Sequence, residues 1–202
     1  MQMNEWIKQF QLENNHLLGP FFYGTPLALR FEIGPSGEMS HPLYLDRAYE
    51  RAIRLLEQAS SNYDYLLLSL LREEDRNVEV SLRHFTSRFG FEAPPQPELF
   101  EIVGPVGELL IFERYLFPIS TQNLKDIIKE IVWADFGGFA YLSASVLLLS
   151  TCDNVIYHCY DDRGVDIAVL NHQKRYELFH GCHDLLFDYD MEEMMRRMDS
   201  NM

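Results

Sequence analysis

The apolar positions of this chain repeat with two different periods, which separate the predicted strands from the predicted helices. Between residues 27 and 33 every second side chain is large and apolar, as in a half-buried strand. Residues 65–71 are apolar at both parities, as in a strand that is covered on both faces. Five further segments have strand patterns: 99–103, 109–117, 142–149, 155–160 and 165–170.

Apolar residues spaced by three and four predict the helices. The clearest stripe covers residues 45–59, and another follows Ser120 or Thr121, either of which can cap the first turn. Near the C-terminus Asp190 can cap a further helix while Glu193 reaches back to complete a capping box. The predicted helical segments are about 3–14, 45–59, 81–89, 121–137 and 172–199, the last with a break between Gly181 and Asp190.

Most of these strands follow one another through short turns, so helical crossovers between parallel strands are the exception. The order predicts an α+β fold, with a mainly antiparallel sheet of about five to six strands and four to five packed helices. A chain of 202 residues can bury one core, so we expect residues 1–202 to form a single domain.

The charge of the chain bears on its partners. There are 17 basic and 31 acidic residues, which give a formal net charge of −14 and are distributed along the whole sequence. Such a field repels phosphate backbones, so we expect no nucleic-acid partner, whereas a basic protein partner would be attracted. A net charge of this sign can also serve solubility alone.

Cysteine usage and hydropathy suggest a compartment. Cys152, Cys159 and Cys182 are odd in number and lack the paired spacing of disulfide frameworks or zinc sites, which fits a reducing compartment. No basic segment followed by an apolar one stands at the N-terminus, and no apolar run approaches the roughly 20 residues that span a bilayer. We therefore expect a soluble cytoplasmic protein without a membrane partner.

Common catalytic signatures are absent from the sequence. It contains no phosphate-binding loop, dinucleotide fingerprint, zinc-protease motif or nucleophile elbow. Their absence favours a protein that is not an enzyme, and nothing in the sequence calls for a cofactor.

The segment 158–166 holds the densest group of ionisable residues, with the carboxylates Asp161, Asp162 and Asp166 and with Arg163 between them. Three carboxylates near one turn can bind a hard cation, or one of them can act as a general base. In that case we expect one carboxylate to border the main pocket and at least one to have a perturbed pKa. The alternative is that these residues only form the turn.

The pairing of the two strands in this segment decides which side chains meet. If Tyr160 pairs with Val165, His158 lies opposite Ile167 in apolar surroundings. Asp166 then belongs to the other face of the sheet.

Arg47, Arg51 and Arg54 are spaced four and three apart, which places them on one face of the 45–59 helix, and Arg30 lies on a nearby predicted strand. Guanidinium groups in this arrangement can dock an anion or a carboxylate-rich segment. Neighbouring glutamates can equally neutralise them and leave a solvated helix face. If the face is internal, at least one guanidinium should contact a carboxylate of this chain.

Two further groups are weaker candidates. Residues 180–184 contain the histidines, cysteine and aspartate of a transition-metal site, but their spacing fits poorly and no metal site is predicted. Met191, Met194, Met195 and Met198 recur at helical spacing, which suits either an adaptable partner surface or packing on the core.

Four segments carry a likeness to a known family: Arg30 to Gly34 (RFEIG), Tyr44 to Ala52 (YLDRAYERA), Tyr160 to Asp166 (YDDRGVD) and Asp188 to Asp190 (DYD). Together they resemble a bacterial family of unknown function, number 3885 in the domain-of-unknown-function series. The resemblance implies a small cytoplasmic protein with one domain and supplies no catalytic residues. The C-terminal signature of the family reads Trp-Ile-Leu-Asp-Tyr-Asp-Arg, whereas Leu185 and Met191 replace its Trp and Arg here.

Two functional hypotheses follow from the sequence. The first is a non-enzymatic protein-interaction module, such as an immunity or antitoxin-like protein that neutralises a basic effector. The second is an enzyme, or a protein that binds a small ligand or a metal, with its site at the 158–166 hairpin.

Overall fold

One antiparallel sheet organises the protein in the computed structural model, which describes residues 3–37, 40–72, 78–92, 96–104, 106–119, 123–137 and 144–199. The strands are β1 (Ala28–Glu32), β2 (Tyr65–Leu71), β3 (Glu98–Val103), β4 (Leu109–Pro118), β5 (Ala144–Ser150), β6 (Val155–Cys159) and β7 (Gly164–Val169). Their order across the sheet is β1-β7-β6-β5-β2-β4-β3. The α+β class is confirmed, but the predicted strand number is too low, because all seven strand segments, including the β3–β4 hairpin, join one sheet.

The described helices are α1 (Met3–Lys8), α2 (His41–Ala59), α3 (Val78–Phe89), α4 (Leu124–Val132), α5 (His172–Gly181) and α6 (Met191–Asp199). This is more than the four to five helices expected, because the segment predicted at 172–199 forms two separate helices, α5 and α6. None of the helices in these ranges is long and apolar enough to cross a membrane. The predicted cap at Ser120 or Thr121 and the first residues of the strand at 142–143 lie outside the described residues.

Both terminal helices differ from their predicted forms. The N-terminal helix ends at Lys8, not near residue 14, and Gln11 adopts a left-handed backbone conformation with φ of 58° before a 3-10 turn begins at Asn14. This break lets Phe10 and Leu12 enter the core. At the C-terminus the carboxylate of Asp190 accepts hydrogen bonds from Arg30 and Tyr23, so the predicted capping box is wrong.

The two faces of the sheet are covered by different parts of the chain. α2 lies on the face of Tyr157, whose hydroxyl donates to the carbonyl of Ala52 at 2.8 Å. The opposite face is covered by the N-terminal residues, where Phe21 stacks on His158 and Ser145 donates to the carbonyl of Leu17 at 2.8 Å. The apolar core therefore lies on both sides of the central strands.

The two edge strands of the sheet, β1 and β3, have different neighbours on their outer sides. Beside β1, Leu186 forms a bridge with Phe31, and the N–H of Phe187 donates to the carbonyl of Arg30 at 3.1 Å. β3 is the last strand at the other edge, and within the described ranges no strand pairs with its outer side. The sheet thus has one covered edge and one open edge.

Candidate functional site

The β6–β7 hairpin pairs one residue out of the register predicted for it. Cys159 pairs with Val165, and His158 pairs with Asp166 instead of Ile167. Residues that pair directly share a face, so the shift brings the imidazole and the carboxylate to the same side of the sheet. The expectation that Asp166 lies on the opposite face from His158 is wrong.

Asp161 shapes the turn of this hairpin. Its carboxylate accepts hydrogen bonds from the backbone N–H of Arg163 at 2.8 Å and of Gly164 at 3.1 Å. The Arg163 side chain folds back on the same carboxylate, with Nε 2.8 Å from Oδ2. An Asp that binds the backbone two and three residues later is a common turn device.

Asp162 lies on the α2 side of the turn, beside the half-buried Tyr44. Burial raises the pKa of the Asp162 carboxyl, and the negative charge of Asp161 raises it further. Burial and the charge of Asp162 also raise the pKa of the Tyr44 hydroxyl. Asp162 is therefore a hairpin carboxylate that has a raised pKa and is still partly exposed.

Asp166 belongs to a buried ion cluster that joins three distant segments. Arg30 donates to Asp166 through Nε at 2.9 Å and Nη2 at 3.1 Å, and to Asp190 through Nη1 at 3.3 Å. The backbone N–H of Phe22 donates to Asp166 at 2.7 Å, and the Tyr23 hydroxyl donates to Asp190. We call Arg30, Asp166, Asp190 and Tyr23 the arginine cluster.

Electrostatics keep Arg30, the cation of the arginine cluster, ionised, whereas burial raises the pKa of the Asp166 carboxyl against the opposing effect of Arg30. Burial alone would lower the pKa of Arg30, but the hydrogen bonds and charge of Asp166 outweigh it and raise the pKa above its ordinary value. The guanidinium also stands 4.9 Å from the ring centre of Phe22. Three of the five N–H groups of Arg30 are directed at Asp166 and Asp190, and its side chain is only 11% exposed, so an external anion has little access to it.

The four segments that carry the family resemblance meet around this hairpin. The backbone N–H of Ile33 donates to the carbonyl of Arg163 at 2.9 Å. Arg51 donates to the carbonyls of Ile33 at 3.3 Å and Gly34 at 3.1 Å. With the arginine cluster, these contacts tie all four segments into one assembly at the β1 end of the sheet.

The predicted arginine stripe is on α2 and contacts the chain itself. Arg47 pairs with Glu50 on the exposed surface, with Nη1 2.9 Å from Oε2. Arg54 forms two bonds to Asp184, at 2.7 and 2.9 Å, and so contacts a carboxylate of a distant segment. Arg51 and Arg54 therefore fasten α2 to the β1 end and to the segment after α5.

Residues 180–184 do not converge as metal ligands. Asp184 is held by Arg54, Cys182 is buried, and the His180 ring packs against Tyr176 at 4.2 Å between ring centres. Among the described residues no group of three His, Cys, Asp or Glu side chains is placed to hold a metal ion.

The methionine stripe of α6 is divided between core and surface. Met194 and Met198 are buried, and the backbone N–H of Arg30 lies 3.4 Å from the Met194 sulfur. Met195 is exposed and Met191 is half-buried. Two of the four side chains therefore pack beside β1 instead of forming a free surface.

A polar cleft of about 500 Å³ lies next to the β5–β6 turn, at the end of β6 and β7 that is far from the Asp161 turn. Its walls include Cys152, Asp153 and Lys174, and none of the hairpin carboxylates lines it. Asp153 is held by the Ser60 hydroxyl at 2.6 Å and by Lys174 at 3.2 Å, and the Ser60 bond lowers the pKa of this carboxyl.

Exposed apolar side chains gather on the β3–β4 hairpin, a site that the sequence reasoning did not single out. Leu99, Val103, Val106 and Leu109 are 58%, 74%, 89% and 59% exposed. Val103 pairs directly with Leu109, so their side chains share a face. We call these four residues the hairpin patch.

Two glutamates accompany the hairpin patch: Glu101 shares a face of β3 with Leu99 and Val103, and Glu108 directly precedes Leu109. The other glutamates of the hairpin are paired, Glu98 with Asn4 and Arg114, and Glu113 with Tyr115 and Arg72. The sequence signal for this patch is the valine within the Gly-Pro-Val-Gly connection, because an apolar side chain in a tight turn cannot reach the core.

Comparison with known proteins identifies a family. Searches among curated proteins and among solved structures found no match. The family model described as a domain of unknown function, DUF3885, matches residues 3–190, a range that includes all four segments of the resemblance, and the chain therefore belongs to this family.

Proposed function

We propose that this protein is an interaction module that binds a basic protein partner through the hairpin patch. The observation that carries the proposal is the contrast between this patch and the other candidate groups. Arg30, Arg54, Asp161 and Asp166 are all engaged by groups of the same chain. The hairpin patch instead exposes four apolar side chains, with Glu101 and Glu108 beside them.

Physical chemistry supports a partner of this kind. Contiguous exposed apolar side chains with a polar rim are typical of protein-binding surfaces. A net charge of −14 would speed association with a basic protein and would make the complex weaker at high salt. An immunity or antitoxin-like protein of the bacterial cytoplasm, directed against a basic effector, is the form of this function that we favour.

The second hypothesis, an enzyme or ligand-binding site at the 158–166 hairpin, has less support. Asp161 serves the turn, and Asp166 is completely buried beside Arg30. Asp162 alone combines a raised pKa with partial exposure.

The test compares two variants that add the same charge to different apolar positions. Val103→Lys/Leu109→Lys alters the hairpin patch, and Leu43→Lys/Met195→Lys alters exposed apolar residues elsewhere. Lysates of its native cells that contain each tagged protein would be brought to low or to high salt, then crosslinked, and the tagged protein purified. We expect a basic protein crosslinked to the hairpin, retained by wild type and the second variant at low salt and lost from the first.

Two outcomes would contradict the proposal. One is a partner that is acidic or that is retained equally by both variants, because neither the charge nor the patch would then explain binding. The other is the absence of any protein crosslinked to residues 96–119 in wild type.

A further inference from the structure

The open edge of the sheet suggests how the partner binds. We infer that an extended segment of the basic partner adds to β3 as an eighth strand. The inference rests on the proposed function, and it names the binding mode and the chemistry of the segment that binds.

Backbone geometry fixes which groups of β3 are free. The N–H of Gly104 donates to the carbonyl of Glu108 at 2.8 Å, so Gly104 faces β4. Inward and outward residues alternate along an antiparallel strand, which turns Ile102 and Phe100 toward β4 as well. The N–H and C=O groups of Leu99, Glu101 and Val103 therefore point away from the sheet.

The side chains of the same three residues are exposed. Leu99 and Val103 are 58% and 74% exposed, and Glu101 lies between them on the same face. Free backbone groups and free apolar side chains thus coincide, as strand addition requires.

Edges of this kind are normally protected. Charged side chains, above all lysines, prolines within the strand, bulges or a covering segment prevent pairing with other chains. β3 has the sequence Glu-Leu-Phe-Glu-Ile-Val, without lysine or proline, and its charges are those of glutamates, which repel acidic chains but attract basic ones. The β1 edge, by contrast, is covered by Leu186 and Phe187.

The negative charge of the protein favours a basic segment over a second copy of this chain at the β3 edge. A second copy of this chain would bring another net charge of −14 and another set of hairpin glutamates to the same edge. A basic side chain opposite Glu101, with apolar side chains opposite Leu99 and Val103, complements the exposed face. The fitting segment therefore alternates apolar, basic and apolar residues at every second position.

The experiment uses two synthetic peptides and the whole protein. One peptide has Val, Lys and Val at alternate positions separated by Thr, and the control peptide has Glu in place of Lys. We expect the Lys peptide to bind about fivefold more tightly than the Glu peptide, and Glu101→Lys to reverse this preference. Amide hydrogen exchange should slow at Leu99, Glu101 and Val103 when the Lys peptide binds.

A backbone substitution separates strand addition from docking of side chains. Glu101→Pro removes one outward N–H without removing a bond to β4, whereas Glu101→Ala keeps that N–H. The Pro variant should bind the Lys peptide roughly tenfold more weakly than the Ala variant, with both variants still folded by circular dichroism.

Three results would overturn the inference: equal binding by the Pro and Ala variants, unchanged exchange at the three amides, or protection of those amides by self-association without peptide.

Different results distinguish a failure of the proposed function from a failure of strand addition. If the peptide adds to β3 but no basic partner is crosslinked to the hairpin in cells, the edge accepts strands and the proposed function is wrong. If a basic partner binds Glu101→Pro as it binds wild type, the function stands and strand addition does not.

Discussion

At the scale of single residues, the arginine cluster combines a completely buried carboxylate with a guanidinium whose side chain is largely buried. Asp166 is completely buried and accepts hydrogen bonds from Arg30 and from the backbone of Phe22. Desolvation of two charges offsets much of their attraction, so such a pair adds little net stability. Removing one partner is different, because the remaining charge is then buried without compensation.

We therefore predict that Asp166→Asn lowers the free energy of unfolding by about 3–5 kcal/mol. The matched control is Glu50→Gln, which makes the same chemical change in the exposed pair with Arg47 and should cost less than about 1 kcal/mol. Urea denaturation of both variants measures the two values. A cost below 1 kcal/mol for Asp166→Asn would show that Arg30 finds another partner or solvent.

His158 should make stability depend on pH. Burial lowers the pKa of His158 from 6.5 to about 4 in the folded protein. The unfolded chain binds a proton at this residue near pH 6.5, while the folded protein does so only near pH 4, so stability falls as the pH falls between those values. The full effect is about 3 kcal/mol.

The variant His158→Gln lacks this titration and isolates it from the carboxylates. We expect the unfolding free energy of wild type to decrease relative to that of His158→Gln when the pH is lowered from about 7 to about 4.5. Denaturant titrations at the two pH values provide the comparison. A constant difference between the proteins would mean that His158 becomes protonated equally in both states.

At the scale of elements, the β6–β7 hairpin depends on a close approach between Tyr160 and Gly164. A Cβ atom at residue 164 would overlap the Tyr160 hydroxyl, whereas residue 181 has no heavy atom within 4 Å of the same position. Gly164→Ala should cost about 1–3 kcal/mol through overpacking. Gly181→Ala should be neutral or slightly stabilising, because Ala is favoured over Gly in a helix.

A double variant tests the cause of the Gly164 effect. Shortening Tyr160 to Ala in the Gly164→Ala background should recover part of the lost melting temperature, since the overlapping atoms are then gone. Additive losses in the two single variants would indicate that Gly164 is required for its backbone instead.

Hydrophobic periodicity predicts the seven strand segments and most of α2 and α4, because residues buried on one face of an element recur with the period of that element. Hydrophobic periodicity does not determine the register in which β6 pairs with β7. The Asp161 carboxylate binds two backbone N–H groups and shortens the turn, and a shift of one residue moves Asp166 to the other face. The contact between Asp166 and Arg30 depends on this register.

The hairpin patch could not be predicted from periodicity for a different reason. Residues 99–103 and 109–117 have the pattern of covered strands, and only the strand order shows that β3 is at the edge. Long-range pairing of strands decides exposure there. The arginine stripe, which was visible in the sequence, turned out to contact carbonyls and Asp184 of the same chain.

At the scale of the whole molecule, the net charge of −14 should destabilise the folded protein through self-repulsion. Raising sodium chloride from about 20 mM to about 500 mM screens this repulsion, and we expect the melting temperature to rise by a few degrees. The rise should be smaller in Glu101→Gln/Glu192→Gln, which carries less negative charge. A melting temperature that falls with salt would instead show that pairs such as Arg54–Asp184 dominate.

The covered β1 edge sets a limit on stoichiometry. A strand that pairs with β3 extends the sheet at that edge, but at the other edge Leu186 and Phe187 already lie against β1 and block continuous pairing with a further strand. Head-to-tail growth of a filament needs two open sheet edges on every molecule. Pairing of β3 with β3 between two copies of this protein can therefore produce closed dimers but no filaments, even at the concentrations at which sheets with two open edges polymerise.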